Sequence, residues 1–256
     1  LLAESSGKNI SYLYTYPFEK LSDEAWDKYK SFIFRRSRRE PVSYILGKKE
    51  FWSLSFSVTP DTLIPRPETE DLVEHVVDFI RSHPKEKSLL RVLDIGTGCG
   101  NIPVAIASEI EHIQLFSSDI SQQALTIAKN NATRLNFARQ IQFIRGNLLT
   151  PFKGGLDVIV SNPPYIKTSD LSTLSSDVTA HEPLGALEGG DDGLHFYRKI
   201  IESSSVVLNS NGGIFFEVGY NQAEEVADLL QDAGRFTDIT TFKDLSGTPR
   251  VVRGIT

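Results

Sequence analysis

Between residues 89 and 242, short apolar runs and amphipathic stretches take turns along the chain, and this alternation restricts the fold more than any other feature. The runs at 89–95, 113–118, 141–145, 156–161 and 213–218 are rich in Val, Ile, Leu and Phe, the pattern of strands buried on both faces. Those at 102–110, 121–135, 194–208 and 222–233 have helical spacing. In 121–135, for example, Ala124, Leu125, Ala128, Ala132 and Leu135 share one face. Parallel strands cannot be joined by tight turns, so each helix is expected to cross over one face of a parallel sheet. A last pair of runs, 238–242 and 251–255, is separated by too little chain for a crossover and predicts an antiparallel end to the sheet. The fold class expected is α/β.

Ahead of this region the patterning differs. Leu21, Trp26, Tyr29, Phe32 and Ile33 recur at mostly helical steps within 19–39, and 9–16 adds a shorter apolar piece. Together they predict a small helical domain over 1–47, incomplete at its N-terminal end. Residues 51–58 alternate Leu54, Phe56 and Val58 with serines, a half-buried strand, and Pro60-Asp61 is expected to turn the chain after it. The expected result is a β-hairpin linker over 48–66. A third unit, 67–256, opens on a helix striped by Leu72, Val73, Val76, Val77 and Ile80, with Pro67 expected at its first position. Glu68, Glu70 and Asp71 suit the positive end of that helix, whereas Arg66 is expected to face the site and pair with a ligand carboxylate.

Composition excludes several classes of function. A chain of 256 residues with 40% hydrophobic content can bury a large core. Its apolar runs are too short for a bilayer, and its first residues lack a signal-peptide plan, so a cytoplasmic location is expected. The single cysteine, Cys99, rules out an internal disulfide, and the five histidines show no paired metal spacing, so no metal is expected. The net charge of −6 argues against a grip on long nucleic acid; residues 1–50 nevertheless carry +3, concentrated in Lys28, Lys30, Arg35, Arg36, Arg38 and Arg39. A solvated helix face is the more ordinary explanation of that cluster, and docking of an acidic partner, protein or RNA, is the functional one. No methionine occurs, even at position 1, which fits a trimmed fragment or the loss of modified methionines that would shorten some motif spacings by one.

The chemistry-bearing residues fall at the ends of the predicted strands. The run 156–161 delivers Asn162-Pro163-Pro164-Tyr165 at a carboxyl end, where open parallel sheets place their ligands. Pro163 forces Asn162 into extended backbone, and two prolines without N–H groups leave carbonyls unused. Asn162 Oδ1 and the Pro163 carbonyl therefore offer two acceptors for one planar –NH2 group, with Tyr165 as a flat surface beside it. As a bare tripeptide, Asn-Pro-Pro is more often an ordinary strand ending, and it is the rest of the chain that reverses this.

The first strand runs into Asp94-Ile95-Gly96-Thr97-Gly98-Cys99-Gly100-Asn101. A dinucleotide fingerprint would put its third glycine at 101, which is Asn, so the loop is not built for a pyrophosphate. Asp94 close to it suits a ligand with an ammonium end and a nucleoside body. Asp119 ends the second strand and can accept ribose hydroxyls, or cap the following helix. Asn147 and Leu148 follow the third strand and offer an amide and an apolar cover to an adenine ring. The candidate binding set is Gly96, Thr97, Gly98, Cys99, Gly100, Asp119, Leu148 and Asn162; the candidate catalytic residues are Asn162, Pro163 and Tyr165, with Pro164 beside them on the substrate.

Taken together these residues resemble class I methyltransferases of the Asn-Pro-Pro-Tyr branch. The match is more specific than that. Pro41-Val42-Ser43-Tyr44-Ile45-Leu46-Gly47, Pro65-Arg66-Pro67-Glu68-Thr69-Glu70, Glu182-Pro183 with Ala186-Leu187, and Gly189-Gly190-Asp191-Asp192-Gly193 all resemble the release-factor glutamine methyltransferases. So do Glu217-Val218-Gly219 before Gln222, and Lys243-Asp244 with Gly247 and Arg250. The resemblance covers about residues 40–256. It implies a Rossmann-like seven-stranded sheet, S-adenosyl-L-methionine as cofactor with S-adenosyl-L-homocysteine as product, and peptide-chain release factors as the partner. The reaction it implies is methylation of the glutamine amide nitrogen in their Gly-Gly-Gln motif, by a monomer whose helical domain holds the substrate protein. Asn147 departs from the family pattern, which has an acid there. A nucleic-acid adenine-N6 methyltransferase with the same clamp, and a non-catalytic nucleoside-binding module, are the competing readings; net charge and the complete Asn162–Tyr165 clamp respectively weigh against them.

Overall fold

Four helices, a hairpin and an α/β sheet follow one another along the chain in the structure, a computed structural model that describes residues 1–85 and 90–256. The helices are α1 (Leu2–Ser6), α2 (Ile10–Thr15), α3 (Asp23–Ser37) and α4 (Val42–Leu46). Ser22 starts α3 by accepting the Ala25 N–H on its hydroxyl, and Arg35 near its end binds both oxygens of Glu40 and the carbonyls of Tyr44 and Ile45. One guanidinium thereby fixes α4 against α3.

The hairpin turns earlier than the sequence suggests. β1 (Lys48–Phe51) and β2 (Leu54–Ser57) pair with Phe51 opposite Leu54, and the turn falls at Trp52-Ser53, both at positive φ. Residues 51–58 are thus not one strand. Glu70, expected only to complement a helix end, accepts the Trp52 N–H at 2.7 Å and stabilises this strained turn. Next comes α5 (Thr69–Ser82), which begins two residues after Pro67 because the carbonyls of Arg66, Pro67 and Glu68 accept from Thr69, Glu70 and Asp71 in a tighter turn.

The sheet is built from β3 (Arg91–Ile95), β4 (Gln114–Asp119), β5 (Ile141–Arg145), β6 (Leu156–Ser161), β7 (Leu208–Glu217), β8 (Asp238–Lys243) and β9 (Pro249–Ile255). Leu89, placed in the first strand by its apolar character, lies outside the described residues. The order is β5-β4-β3-β6-β7-β9-β8, with β9 antiparallel to both neighbours and inserted between β7 and β8. Helices α6 (Asn101–Glu109), α7 (Gln122–Arg134), α9 (His195–Val207) and α10 (Ala223–Asp232) flank it, with the short α8 (Ser176–Thr179) in the long connection after β6.

Strand alternation divides the core. Val92, Val158, Val160, Phe215 and Val251 face one side with α5 and α6, whereas Leu93, Ile159, Ile214, Phe216 and Val252 face the other with α9 and α10. Each such side chain contributes roughly 1.5–3 kcal/mol by leaving water, so a sheet buried on both faces is held by its own repeat of two. Chain order reverses between β3 and β6, which places a crevice at their carboxyl ends.

Candidate active site

A cavity of about 320 Å³ opens where β3, β4, β5 and β6 end. Gly96, Gly98, Asp119, Leu148, Asn162, Pro163 and Pro164 line it, together with Asn147. Thr97, Cys99, Gly100 and Tyr165 do not line it, although they belong to the same loops.

The glycine loop is shaped by what lies behind it. Gly100 takes φ 85° as the residue before α6, and a Cβ there would sit 3.0 Å from the Ala128 side chain, so only glycine lets α6 start against α7. Cys99 is buried beside Asn101, and that burial pushes its thiol up to about 12, an inert state. Asp94, the residue that first suggested an ammonium, lies beneath the loop with both carboxylate oxygens buried and without partners. Burial pushes it up to about 7, with the Thr97 hydroxyl drawing it down and the charge of Asp119 adding to the rise.

Asp119 is already engaged. Its Oδ2 accepts the Gly98 N–H at 3.0 Å and its Oδ1 the Ser121 N–H at 2.9 Å, so it joins the glycine loop to the start of α7. Burial raises its pKa and these N–H groups oppose the rise. Each oxygen keeps a lone pair for a ligand hydroxyl. On the next strand tip, Leu148 adopts φ 50°, a conformation that costs a branched side chain of this kind on the order of 1 kcal/mol or more. Leu148 packs against the core on one side and lines the cavity on the other.

The Asn162–Tyr165 segment divides its labour. Asn162 Nδ2 donates to Thr69 Oγ1 at 3.3 Å, which turns Oδ1 away from α5. Among the described residues no backbone N–H bonds to the Pro163 carbonyl. Tyr165 points elsewhere: its ring lies against Gly219, where a Cβ would come within 2.9 Å of it, and burial pushes its hydroxyl up to about 12. Its carbonyl accepts from Gln222 Nε2 at 3.0 Å while Gln222 Oε1 accepts the Gly219 N–H, so one buried amide locks the motif to the end of β7. Gly189 is needed here too, since a Cβ would lie 2.7 Å from Tyr165 Cα.

Arg66 does not reach into the cavity for a ligand carboxylate. Its Nη2 donates to Glu182 Oε1 at 2.5 Å, and Glu182 Oε2 also accepts the Ile64 N–H. Leu63, Ile120, Phe196, Pro183, Gly185 and Ala186 also line the walls; Pro183 and Ala186 belong to the motif that carried the resemblance, whereas nothing local marks Leu63 or Phe196. Among the described residues no group of three or more His, Cys, Asp or Glu converges as a metal site would.

A reversed sheet with an inserted antiparallel strand, a glycine loop over a buried acid, and an acid at the second strand tip define a class I methyltransferase fold. Residues 74–180 match the family model "Methyltransferase small domain" and residues 1–47 match "PrmC N-terminal domain". The release factor glutamine methyltransferase of Bacillus subtilis (strain 168) is 38% identical over 255 residues, spanning 98% of this chain and 88% of that protein. Its counterpart in Geobacter sulfurreducens is 40% identical, spanning 99% and 87%. The N-terminal domain of human METTL16, crystallised in complex with SAH, shares the fold at 19% identity and a TM-score of 0.57, over 79% of this chain and 76% of that one. The chain belongs to the release factor glutamine methyltransferase family.

Proposed function

We propose that this protein methylates the side-chain amide nitrogen of the glutamine in the Gly-Gly-Gln motif of peptide-chain release factors. S-adenosyl-L-methionine is the donor and S-adenosyl-L-homocysteine the product. The observation that carries this reading is the orientation of Asn162. With Nδ2 held by Thr69, its Oδ1 and the unused Pro163 carbonyl are paired acceptors on the wall of a cavity that Gly98 and Asp119 also line.

The cavity residues suit that donor. On the walls, Asp119 retains lone pairs for ribose hydroxyls, and Asn147 with Leu148 offers an acceptor and an apolar cover for adenine; Asp94, buried beneath the loop and not on the cavity wall, adds a counter-charge for an ammonium from below. When bound, the cofactor supplies an electrophilic methyl group on a sulfonium. The protein's part is positioning. An amide nitrogen is a poor nucleophile because its lone pair is delocalised into the carbonyl. Asn162 Oδ1 and the Pro163 carbonyl accept its two N–H bonds, favour a pyramidal nitrogen and fix the direction of its lone pair. Transfer leaves a cationic nitrogen that carries the methyl group and both original N–H bonds, and one of those protons is lost afterwards to water, so no strong base is required. Tyr165 supports the clamp from behind, through its backbone and the Gln222 bridge.

The helical unit at 1–47 is assigned to docking the substrate protein, 48–66 to linking, and 67–256 to transfer. The protein works as a monomer in the cytoplasm without stable nucleic-acid binding, a reading supported by its acidic balance and by the named substrate of its relatives. No helix among the described residues is long and apolar enough to cross a membrane. The test is Asn162→Ala, assayed with labelled cofactor against release factor and against DNA. Loss of transfer to release factor, with cofactor affinity kept, is expected; equal loss of both would move Asn162 from substrate to cofactor.

A further inference from the structure

The motif Lys243-Asp244 with Gly247 and Arg250 belongs neither to the clamp nor to the cavity walls. It forms the turn between β8 and β9. Asp244 Oδ1 accepts the N–H groups of Ser246 and Thr248, both at 2.9 Å, and the Ser246 hydroxyl at 2.6 Å, while Gly247 closes the loop at φ 84°. The second carboxylate oxygen, Oδ2, accepts Arg250 Nε at 3.2 Å. Nη1 and Nη2 of Arg250 make no hydrogen bond with any described residue, and the side chain is 23% exposed. A guanidinium is planar, so fixing Nε against Asp244 also sets the direction of the terminal donors.

The turn stands at the edge of the sheet where Asn162 emerges. β9 is antiparallel to both of its neighbours, so β8 runs parallel to β7 and to β6 and ends on the same side. Ser161 pairs with Phe216, and two residues past Phe216 the Val218 N–H donates to the Arg250 carbonyl at 2.9 Å. Gly219 follows and lies against the Tyr165 ring. The Arg250 backbone is thus two strands from that of Asn162, about 10 Å at the usual strand spacing, on the side away from Gly98 and Asp119.

A Gly-Gly-Gln segment has no side chains to recognise at its glycines, only main-chain carbonyls and N–H groups. The clamp supplies acceptors alone, because Pro163 and Pro164 carry no N–H. Carbonyls taken out of water beside it need donors from elsewhere. The residues suited to the cofactor occupy one side of Asn162, which leaves the β7–β9 side for the rest of the segment. An extended chain advances about 3.5 Å per residue, so the carbonyls just before the glutamine fall within reach of a side chain rooted at Arg250. The glutamine's own carbonyl is the wrong target, since a cation there would draw the nitrogen lone pair further into the amide. We propose that Arg250, oriented by Asp244, is a substrate-binding residue whose terminal nitrogens donate to the main-chain carbonyls of the two glycines before the target glutamine. This assignment rests on reading Asn162 and Pro163 as the glutamine clamp, and adds the means by which the rest of the motif is held.

Steady-state kinetics of the whole protein with intact release factor and saturating S-adenosyl-L-methionine test it. Arg250→Met keeps the apolar stem and removes every donor. Its KM for release factor should rise about ten- to a hundredfold, the range that hydrogen bonds from a charged donor supply, with kcat changing far less. Cofactor affinity by calorimetry should stay within about twofold of wild type. Arg250→Lys, which keeps the charge but loses the fork, should fall between the two. Asp244→Ala removes the orienting carboxylate and leaves the donors in place. It should raise KM less than Arg250→Met does, and adding it to Arg250→Met should raise KM no further. A mere staple of the turn predicts the reverse: equal losses of melting temperature in both variants and an unmoved KM. A KM within about twofold of wild type in Arg250→Met, or in Arg250→Lys should the first variant not fold, overturns the role of Arg250. Beside an inactive Asn162→Ala that result leaves the clamp standing, whereas an active Asn162→Ala overturns the clamp and this inference with it.

Discussion

Glu182 and Arg66, 116 residues apart, are joined by a 2.5 Å ion pair that ties together two walls of the cavity. Pro183, Gly185 and Ala186 lie directly after one partner and Asp61–Leu63 shortly before the other, and all of them line the site. The Glu182 side chain is only 1% exposed and also accepts the Ile64 N–H at 3.2 Å, so the pair acts as a fixed strut. Glu182→Ala leaves a guanidinium and a buried N–H without an acceptor, a cost of about 1–3 kcal/mol. Faster tryptic cleavage after Lys167 and weaker cofactor binding are the expected readouts. A variant cleaved and saturated like wild type would show that the strut holds nothing.

Cofactor binding should depend on pH through Asp94. Burial holds its carboxyl at about 7, well above the ordinary 3.8, and an ammonium pairs only with the ionised form. Binding therefore takes a proton off the protein below about pH 7, and affinity should fall by up to tenfold per pH unit there. The stability of the cofactor-free protein carries the opposite sign. Between about 4 and about 7 the unfolded chain releases a proton that the fold retains, so this group's contribution declines as pH rises through that window and levels off above it. Asp94→Asn removes a penalty of up to about 4 kcal/mol at pH 8. It should raise the melting temperature of the cofactor-free protein at pH 8 while weakening its cofactor binding and abolishing the pH dependence. Calorimetry at about pH 6 and about pH 8 decides the matter.

Asn131, in the last turn of α7, connects the hairpin to the glycine loop. It accepts the Ser57 N–H at 2.8 Å and donates to the Ser57 and Cys99 carbonyls, both at 2.9 Å. Asn131→Leu is close in size but strands all three backbone groups, so a loss of about 2–4 kcal/mol in urea unfolding is expected. Cofactor affinity should drop as well, because the Cys99 carbonyl belongs to the loop that carries Gly98. Loss of stability with unaltered affinity would confine Asn131 to holding the hairpin.

The strand at 156–161 was legible to the residue, because Leu156 and the β-branched run Val158-Ile159-Val160 just before Asn-Pro allow little else. So was the helix that Ser121 caps. The hairpin turn was not, since Trp52-Ser53 lacks the Asn-Gly chemistry that announces such turns and depends on Glu70 from a later helix. Arg66 was misread for a similar reason. A lone cation near a site attracts a ligand on paper, whereas its partner stood more than a hundred residues further on.

The order of apolar and polar residues determined by itself that the chain makes a parallel sheet covered on both faces. It also determined that Asn162, Asp119 and the glycine loop lie at strand tips, because strand periodicity and proline and glycine stereochemistry act over a few neighbouring residues. Only the tertiary structure decided which way the Asn162 amide turns, that Tyr165 backs the cavity instead of lining it, and that Glu182 closes on Arg66. Those outcomes depend on hydrogen bonds between residues far apart in the chain. Such pairings exist only once packing has excluded water and left each buried donor a single acceptor.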